Sequence, residues 1–438
     1  MMRLVFGGRI LPIRSDVFIA TIAAVASCVA ILFELPPALA SPVPPERGFA
    51  QKRRVRVRLM DAVSEFRVRG LDLKVSNSIA RKNLKADLTS EWVFKCVRGA
   101  VHAQQLAGVG KQNRSFILGA QAEVRTPAGF LLINGRPYRE EIRLYAGRRG
   151  CEVVNHLDLE KYLDGLVNAE FSARWSEEAI AAQVVAARTY AIYQMNHYRK
   201  RHYDVESDVT DQVYGGSAIE DFRASRVVAK SQGLILTTGS PRNFKPLKAF
   251  YHSTCGGATE LPQKVWGKPH PGFQTGVQCK FCQSSPKFRW QVTLGSPDVV
   301  RAFIRGMKSR TMPKTWPKDA LRWIEKGKLI GLAADRVNAS GRVEQVSSLW
   351  TLGDKALRLS LPGSRFRSWL GTTQIQSAAF RAVAVQGTRD LKWLFEGRGY
   401  GHGVGMCQWG AKVMGEKGFS MAQILKHYYP GAVLRKVW

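Results

Sequence analysis

The first third of the chain shows the alternation of apolar and polar side chains that is typical of β-strands. Basic and apolar residues alternate over 54–59, which predicts an opening strand with one buried face. Residues 114–124 and 130–145 are further strand-like stretches. Inside the second stretch, Asn134 and Gly135 predict a two-residue hairpin turn.

From about residue 157 the pattern becomes helical. Residues 159–165 predict a short helix that ends at a glycine, and Ser176 predicts the N-cap of a long helix over 177–197. Apolar residues occupy most of the circumference of the long helix, which is typical of a central, buried helix. Its polar residues Gln183 and Arg188 therefore each need a hydrogen-bonding partner.

The remainder of the chain mixes helices with short strands. Residues 297–327 have a helical pattern, and 329–334 with 343–352 match a hairpin. We predict a mixed α+β fold with one domain over 53–438 and an inserted portion at roughly 296–360. No internal repeat is visible, so nothing indicates a repeat architecture.

The N-terminus has the pattern of an export signal. An apolar run over 17–33 follows several arginines, and an Ala-x-Ala site ends at Ala40, which predicts a secretory signal over 1–40. Residues 41–52 are rich in proline and predict a linker. An uncleaved anchor is the main alternative because the run is just long enough to span a bilayer, and a lipoprotein signal at Cys28 ranks third. Each alternative places the protein outside the cytoplasm, in the periplasm or on the cell-wall side of the membrane.

Composition and charge narrow the function classes. Of 438 residues, 45% are hydrophobic and 23% are charged, which suits a buried core and excludes a wholly disordered chain. One apolar run is too few for a polytopic membrane protein. Lysine and arginine number 66 against 34 acidic residues, a net charge of +32, and this excess predicts an anionic partner or environment. For an exported protein, an anionic wall or membrane surface fits the charge better than nucleic acid.

The cysteines allow two interpretations. Seven occur, and loss of Cys28 with the signal leaves an even number, which permits disulfides outside the cytoplasm without revealing their pairing. Alternatively, two pairs of nitrogen and sulfur ligands have the spacing of a tetrahedral zinc site: His252, Cys255, Cys279 and Cys282. Four protein ligands would close the site for a structural role, whereas three would leave a position that could activate water.

Glu170 is a candidate general acid. It precedes the long helix between Ala169 and Phe171, and apolar surroundings raise the pKa of a carboxyl group, which suits proton donation. A surface glutamate ahead of a helix is the simpler interpretation of Glu170 taken alone. Arg188 is a candidate charge partner, provided that the chain folds back to bring the two together.

Alternate glycines fill residues 397–410. The segment matches the dinucleotide-binding glycine pattern in no register, and no helix is predicted directly after it. Such spacing predicts the close approach of two backbones, or a ligand that lies against the chain. His402 is the side chain of this segment suited to acid–base or ligand duty, with a structurally bonded histidine as the alternative. Four aromatic residues are candidates for stacking on sugar rings: Tyr214, Trp266, Tyr400 and Trp409.

Several segments, in their order along the chain, resemble motifs of the SpoIID/LytB (stage II sporulation protein D) family. The segment that ends at Glu170 resembles the lead-in to that family's catalytic glutamate, and the start of the long helix resembles its most specific block. The matching segments are 155–170, 175–191, 211–215, 251–260, 401–406 and 428–431. The resemblance extends over roughly 53–438 and is weak across 60–110 and 296–360. Asn168 and Cys407 depart from it, because many relatives have proline and serine there.

The resemblance implies a SpoIID-like fold and lytic transglycosylase activity on peptidoglycan, in wall remodelling during sporulation or cell division. Glu170 would protonate the glycosidic oxygen between N-acetylmuramic acid and N-acetylglucosamine, then accept the proton of the muramoyl 6-hydroxyl as that hydroxyl attacks the anomeric carbon. One carboxyl group then suffices, unlike the pair in ordinary glycosidases, and the product carries a 1,6-anhydro end. Arg188 would balance charge in the site. His252 would also lie in the site, as a candidate ligand of a zinc ion. Glycan contacts would come from Tyr214, Tyr400, His402, Gln408 and Trp409.

Two other function classes fit the same residues. The protein could be a non-catalytic, wall-binding amidase enhancer, or a zinc-dependent amidase or peptidase that uses His252 and the cysteines. Cysteine-rich ligation favours structural zinc, which ranks the metalloenzyme last. The predicted partners are peptidoglycan glycan strands and other wall hydrolases. Nucleic acid is not expected, and a membrane is expected only through an uncleaved N-terminal segment.

Overall fold

The computed structural model describes residues 54–77, 83–84, 89–107, 112–309, 313, 315–385 and 391–438. The predicted signal or anchor over 1–40 and the predicted linker over 41–52 lie outside these residues. Within the described ranges, no helix has the length and apolar character needed to cross a membrane.

Helices and strands in several sheets make up the described residues, which confirms the predicted mixed α+β class. The strands, in chain order, are β1 (Arg54–Val63), β2 (Glu65–Leu71), β3 (Lys74–Asn77), β4 (Asn83–Leu84), β5 (Thr89–Val97), β6 (Ala100–Leu106), β7 (Arg114–Ile117), β8 (Gln121–Ile133), β9 (Arg136–Gly147), β10 (Gly150–Asp158), β11 (Val205–Glu206), β12 (Leu234–Ser240), β13 (Asn243–Pro246), β14 (Tyr251–His252), β15 (Arg289–Gly295), β16 (Lys328–Val337), β17 (Val343–Leu352), β18 (Lys355–Pro362), β19 (Phe380–Val385), β20 (Lys392–Arg398), β21 (Met406–Cys407) and β22 (Val433–Lys436). The helices are α1 (Leu159–Glu170), α2 (Glu177–His197), α3 (Phe222–Lys230), α4 (Pro262–Trp266), α5 (Ser296–Lys308), α6 (Ala320–Lys326), α7 (Gly363–Leu370), α8 (Gln408–Glu416) and α9 (Met421–Tyr428), with a 3-10 turn over Gly216–Ile219.

Strands β1 to β11 form one large sheet. Its order is β11-β1-β10-β9-β8-β2-β5-β6-β7, with β3 paired to β8 and β4 to β3. In β1, Val55 and Val57 are buried and alternate with more exposed residues, so the predicted opening strand with one buried face is confirmed. A disulfide between Cys96 and Cys151 joins β5 to β10, and the disulfide interpretation therefore holds for this pair.

The predicted hairpin turn is confirmed between β8 and β9. Its residues Asn134 and Gly135 have φ angles of 47° and 83°, which asparagine and glycine tolerate better than other residues. The strand-like stretch predicted over 114–124 is instead broken in two. Gly119, with a φ angle of 77°, lies between β7 and β8, and a residue in this conformation does not continue a strand.

Helix α2 begins and ends where the sequence predicts. The Ser176 side chain accepts a hydrogen bond from the Ala179 N–H at 3.3 Å as its N-cap. Buried side chains lie on all sides of the helix, as expected of a central one. The Arg188 side chain has the hydrogen-bonding partners that its burial requires. The Gln183 side chain has no hydrogen-bonding partner among the described residues.

Helix α1 continues past Gly165, where the sequence predicts its end. Another part of the chain packs against this glycine, since a Cβ atom there would lie 2.7 Å from the Tyr214 ring and 2.9 Å from the Gly216 carbonyl oxygen. The glycine therefore serves close packing within the helix rather than helix termination. The additional turn makes Glu170 the last residue of α1.

A second hydrophobic cluster, separate from the main core, gathers buried residues between Trp290 and Phe395. The sheets β15-β20-β19 and β16-β17-β18 and the helices α5 to α7 contribute to it. Main-core residues come from both before and after this stretch. We call residues 289–398 the inserted region. It extends beyond the predicted insertion, 296–360, at both ends. The predicted hairpin lies within it as β16 and β17. The predicted domain boundaries stay a prediction.

Helix α8 begins directly after β21, where no helix is predicted. Its internal glycines have low helix propensity, so the local pattern does not reveal it. Strand β21 pairs in parallel with β14, with Tyr251 opposite Met406 and His252 opposite Cys407. This pairing brings the glycine-rich segment to the segment around residue 251.

Candidate functional site

Glu170 is held by polar groups from distant parts of the chain. Its Oε1 atom accepts a hydrogen bond of 2.6 Å from the Val213 N–H. The Gln408 side-chain amide donates to the Glu170 backbone oxygen at 3.1 Å and lies 3.5 Å from Oε2. The Tyr251 hydroxyl bonds to the same carboxyl group. The end of α1, the loop over 211–215, β14 and the start of α8 therefore meet at this side chain.

The Glu170 carboxyl group has the properties of a proton donor. Burial raises its pKa above the ordinary value of glutamic acid, and the hydrogen bonds from Val213, Gln408 and Tyr251 act in the opposite direction. Because burial is the largest effect, the group stays protonated to a higher pH than an exposed glutamate. None of its described hydrogen-bonding partners is a second carboxyl group.

Buried side chains fix the direction of the hydrogen bond at Tyr251. Tyr162 donates to Gln212 Oε1 at 3.0 Å, and the Gln212 amide donates to the Tyr251 oxygen at 3.0 Å. Burial raises the pKa of both phenols well above its usual value, so both remain protonated. Since the Tyr251 oxygen already accepts from Gln212, its own proton points to Glu170.

The glycine-rich segment lies directly against residues 250–254. Tyr400 and Thr254 exchange two backbone hydrogen bonds of 2.8 and 3.0 Å. At Gly405, where φ is +72°, a Cβ atom would lie 2.0 Å from the Phe250 carbonyl oxygen, so only glycine fits there. The close approach of two backbones predicted from the alternate glycines is confirmed.

The structure does not bring Arg188 to Glu170. Its fully buried guanidinium forms an ion pair of 2.7 Å with Glu160 and donates to the carbonyl oxygens of Leu234 and Val228 at 3.2 and 3.3 Å. Glu160 and Glu170 stand at opposite ends of α1, roughly 15 Å apart along its axis. The predicted charge pairing with Glu170 is therefore wrong, because Arg188 is bonded to the beginning of α1.

His252 points away from the Glu170 carboxyl group. It follows Tyr251 on β14, and successive side chains of a strand point to opposite faces. Its Nδ1 donates to the Val404 carbonyl oxygen at 3.1 Å, while its Nε2 has no hydrogen-bonding partner among the described residues. Burial, with help from His402 and a nearby arginine, lowers the pKa of His252 well below its ordinary value. The imidazole is therefore neutral, and its predicted catalytic role is not supported by any described contact with the carboxyl group.

Four buried cysteine sulfurs form a candidate metal centre. The four Sγ atoms lie within 4.8 Å of one another. A tetrahedral site with zinc–sulfur bonds of about 2.3 Å has sulfurs roughly 3.8 Å apart, so the size fits. The cluster consists of Cys255, Cys279, Cys282 and Cys407. Three of the predicted ligands, Cys255, Cys279 and Cys282, are therefore together. The fourth sulfur comes from Cys407 instead of the predicted His252. Strand pairing sets Cys407 beside His252, and the His252 side chain bonds to Val404.

The surroundings of this cysteine cluster suit metal-bound thiolates. The backbone N–H groups of Cys255 and Gly410 donate to the Cys407 sulfur at 3.2 and 3.4 Å. The Tyr428 hydroxyl lies 3.2 Å from the Cys279 sulfur. Such second-layer groups orient ligands and stabilise their charge. Four sulfur ligands make a closed site, which is typical of structural zinc rather than zinc that activates water.

A buried arginine of the inserted region reaches this cluster. Arg342 is 2% exposed and donates to the Cys255 carbonyl oxygen at 2.8 Å across a separation of 87 positions. At the same hairpin tip, Asn338 and Ser340 donate to one carboxylate oxygen of Glu260 at 2.6 and 2.8 Å. No local sequence pattern indicates these contacts, because they join distant segments, one of which lies in the region of weakest family resemblance.

Two half-buried tryptophans pack against each other near the end of α1. The ring centroids of Trp175 and Trp409 are 5.5 Å apart, and the Phe171 ring, directly after Glu170, lies 4.2 Å from Trp175. The Lys412 Nζ atom lies 5.4 Å from the centre of the Trp409 ring and 5.8 Å from the centre of the Trp175 ring. Trp409 thus stays a candidate for sugar stacking. Trp175 is not among the predicted sugar contacts, although it begins the most specific family-like block.

Tyr214 lies in the core rather than at an open site. It is 5% exposed, its hydroxyl donates to Asn155 at 2.9 Å, and its ring packs against Tyr162 and Tyr138. A buried ring with a bonded hydroxyl offers no free face to a sugar. The structure therefore contradicts the predicted glycan contact of Tyr214.

Tyr400 and His402 are half-buried in the glycine-rich segment. The His402 Nδ1 atom accepts the Val404 N–H at 3.0 Å. Burial and nearby arginines lower the pKa of His402 to about 3, so this imidazole is neutral near pH 7 and suits hydrogen bonding or stacking rather than proton transfer. Its ring lies 5.2 Å from that of Trp266, a residue with 44% exposure. Both positions remain compatible with a glycan contact.

Comparison with known proteins agrees with the ordered motifs. Residues 147–238 match the family model SpoIID, stage II sporulation protein. The chain is 30% identical over 307 residues to the amidase enhancer of Bacillus subtilis, a match that covers 62% of this chain and 40% of that protein. It is 28% identical over 293 residues to stage II sporulation protein D of Bacillus amyloliquefaciens, covering 64% of this chain and 74% of that protein. An uncharacterized protein of Brachyspira hyodysenteriae is 26% identical over 387 residues, 88% of this chain and 93% of that protein.

The match therefore spans less than half the length of the amidase enhancer and most of the other two relatives. The family-model match lies across α1 and α2, and so includes Glu170 and the central helix. The predicted resemblance is confirmed: residues 147–238 match the SpoIID family, and the relatives named stage II sporulation protein D and amidase enhancer support it.

Proposed function

We propose that this chain is an exported lytic transglycosylase that remodels the bacterial cell wall. It would cleave peptidoglycan between N-acetylmuramic acid and N-acetylglucosamine, with Glu170 as general acid and base. The observation that carries the proposal is the Glu170 carboxyl group, which is half-buried, raised in pKa by desolvation and bonded to neutral partners. The SpoIID family and the amidase enhancer relative support a role in the cell wall.

A single carboxyl group can carry both proton transfers. Protonated Glu170 gives its proton to the glycosidic oxygen as the bond from that oxygen to the muramoyl C1 breaks. The carboxylate then takes the proton of the muramoyl 6-hydroxyl, whose oxygen forms a new bond to C1. The acid is regenerated, no water is consumed, and one product ends in a 1,6-anhydro ring. Ordinary glycosidases use a second carboxyl group, which the described partners of Glu170 do not include.

The surroundings of Glu170 suit both of its charge states. Burial favours the protonated acid before the first transfer. After that transfer, the Val213 N–H and the Tyr251 hydroxyl donate to the carboxylate and stabilise it. Trp175 and Trp409 offer ring surface near the end of α1, where Phe171 follows Glu170, which suits the apolar faces of sugar rings.

The cysteine cluster supports one structural zinc ion as cofactor. Zinc would cross-link the segment that follows β14, the 279–282 loop and the start of α8. Four sulfur ligands would leave no coordination position for water. A zinc-dependent amidase or peptidase is therefore the weakest of the predicted functions.

A wall-binding amidase enhancer without catalysis is the second candidate function. The 30% identity to a protein of that name favours it. An enhancer would need a wall-binding surface, for instance at Trp175 and Trp409, but not the Glu170 carboxyl group. The two functions therefore differ in the effect of one substitution, Glu170→Gln.

Two observations support a location outside the cytoplasm. The disulfide between Cys96 and Cys151 suits an oxidising compartment. The net charge of +32 suits an anionic wall. Together with the family, they favour peptidoglycan and wall hydrolases as partners.

The test compares the exported protein with its Glu170→Gln variant on purified glycan strands, with and without stem peptides. Glu65→Gln, at an exposed residue of β2 paired with Lys95, is the control for loss of one carboxyl group. We expect 1,6-anhydro ends, read by mass spectrometry, from the wild type and the control alone. Strand binding by all three proteins without cleavage would favour the enhancer, and reducing ends would indicate a hydrolase.

A further inference from the structure

Two arginines of the inserted region stand directly opposite each other without acidic partners. The antiparallel register of β15 and β20 pairs Arg289 with Arg398, and both residues are exposed. Neither side chain forms an ion pair with an acidic group in the described part of the chain. Like charges at directly opposite strand positions destabilise a sheet, so this pair does not contribute to the stability of the fold.

The neighbouring acidic residue does not neutralise the pair. Glu396 lies two positions before Arg398 and hence on the same face of the sheet, but it forms an ion pair of 2.6 Å with Arg381 of β19. The face therefore carries two uncompensated positive charges. A cavity of about 340 Å³ lies against it, lined by the three arginines, Glu396 and Gly341 of the hairpin tip. This volume is sufficient for a small anionic group.

The backbone fixes Arg398 at the cavity. Its N–H donates to the Ala379 carbonyl oxygen at 2.8 Å, and its carbonyl oxygen accepts from the Ser377 hydroxyl at 2.6 Å. The guanidinium lies beside Gly341, where a Cβ atom would be 3.2 Å from Nη2. The two hydrogen bonds fix the backbone from which the exposed Arg398 side chain extends, so less backbone entropy is lost when a ligand binds.

The cavity adjoins the glycine-rich segment, and a lysine lies between them. Tyr400 follows Arg398 after one intervening glycine, and it bonds to Thr254 beside β14. On the adjacent strand segment, Lys287 precedes Arg289 by two positions, and its Nζ atom lies 5.7 Å from the centre of the Tyr400 ring. The arginine pair therefore lies next to the glycine-rich segment, within reach of a glycan strand that binds there.

We propose that Arg289 and Arg398 form a subsite for the carboxylate groups of a peptidoglycan strand. A guanidinium group binds a carboxylate through two parallel hydrogen bonds. The carboxylate can come from the lactyl group of muramic acid in strands without peptides, or from the stem peptides of complete strands. The inference rests on the proposed peptidoglycan substrate, and it makes the inserted region part of substrate recognition.

The experiment measures binding to three probes: glycan strands stripped of peptides, strands that carry stem peptides, and neutral chitin oligosaccharides. All proteins carry Glu170→Gln so that no probe is cleaved, and the test protein adds Arg289→Gln and Arg398→Gln. We expect it to bind carboxylate-bearing strands about five- to tenfold more weakly at low salt, with unchanged affinity for chitin oligosaccharides. The strand type with the larger loss identifies the source of the carboxylate.

Two further double variants control for charge and for folding. Arg301→Gln with Arg305→Gln removes two exposed charges from α5 of the same region and should leave each affinity within about twofold. Arg289→Lys with Arg398→Lys keeps the charge and should recover part of the affinity. Since the arginine pair destabilises the sheet, the glutamine variant should unfold at the same temperature as its parent or at a higher one.

No loss on any probe, or an equal loss on chitin and on carboxylate-bearing strands, would overturn the inference. These outcomes are distinct from failure of the proposed function, because cleavage is measured separately with Glu170 intact. Arginine-dependent binding without anhydro products would contradict the transglycosylase alone. Anhydro products with arginine-independent binding would contradict the subsite alone.

Discussion

The Tyr251 hydroxyl donates a hydrogen bond to the Glu170 carboxyl group, and Gln212 sets the direction of this bond by donating to the Tyr251 oxygen at 3.0 Å. Such a bond stabilises the carboxylate more than the neutral acid. It therefore holds the pKa of Glu170 below the value that burial alone would produce. The carboxyl group is thereby coupled to a row of buried side chains that ends at Tyr162.

Tyr251→Phe is expected to raise the pKa of Glu170, because it removes a donor to the carboxylate and leaves the burial unchanged. The first transfer requires the protonated acid, so activity is lost as the pH rises through this pKa. In the variant, that loss should move to higher pH by up to about one pH unit, the free energy of one hydrogen bond. The pH profile of anhydro-product formation measures the shift. Tyr145→Phe, which removes a hydroxyl beside Arg143 on β9 of the large sheet, should leave the profile in place, and an unmoved profile in Tyr251→Phe would refute the coupling.

Arg188→Met is expected to lower the free energy of unfolding by about 3–5 kcal/mol, because it leaves the Glu160 carboxylate without its buried partner. Urea denaturation measures the loss. Arg188→Met combined with Glu160→Met removes both charges and should recover much of the stability. The folded fraction of the single variant should keep the wild-type pH profile, since Arg188 does not contact Glu170. Normal stability with a shifted pH profile would instead support the catalytic role predicted from the sequence.

Cys407→Ala is expected to abolish binding of the proposed zinc ion, because Cys407 completes the sulfur cluster. His252→Ala should keep the metal, since its imidazole lies outside the cluster and bonds to Val404. Elemental analysis of the purified proteins measures the zinc content, and chelation of the wild type should lower its melting temperature. Zinc that is lost in His252→Ala and retained in Cys407→Ala would restore the ligand set predicted from the sequence.

Arg342→Met is expected to loosen the segment over 255–260, because it leaves the Cys255 carbonyl oxygen without its buried donor. A cost of about 1–3 kcal/mol for such a group corresponds to hydrogen exchange that is at least about fivefold faster. Exchange of the amides in this segment, followed by mass spectrometry, measures the effect. Arg336→Met, at an exposed position of the same hairpin, should leave the exchange unchanged. Equal exchange in both variants would mean that the inserted region does not stabilise the cluster.

The sequence predicts those elements whose signals are local. The N-cap at Ser176 and the apolar circumference place α2 correctly at both ends, and the turn at Asn134 and Gly135 places the β8–β9 hairpin. The glycines of α1 and α8 mislead because they allow close packing with distant segments. A glycine that serves tertiary packing has the same local pattern as one that ends a helix.

The candidate site is predicted only in part for a related reason. The family resemblance identifies Glu170, but its donor Val213 stands 43 positions away, and no local pattern indicates their contact. The pairing of β14 with β21 brings Cys407 to cysteines that lie over a hundred positions earlier. The spacing of the cysteines in the sequence does not predict this contact. The partner of Arg188 depends on which end of α1 packs against α2, and a sequence pattern does not decide this.

The most direct test asks where the nucleophile comes from. Purified glycan strands are cleaved by the wild type and by Glu170→Gln in water enriched in oxygen-18, and the new muramoyl ends are identified by mass spectrometry. If Glu170 acts on the 6-hydroxyl of the substrate, wild-type ends will be anhydro sugars without oxygen-18, and the variant will give none. Muramoyl ends that carry an oxygen-18 atom, in excess of the label that strands incubated without enzyme take up by exchange, would show that water attacks C1 and would contradict the proposed transglycosylase.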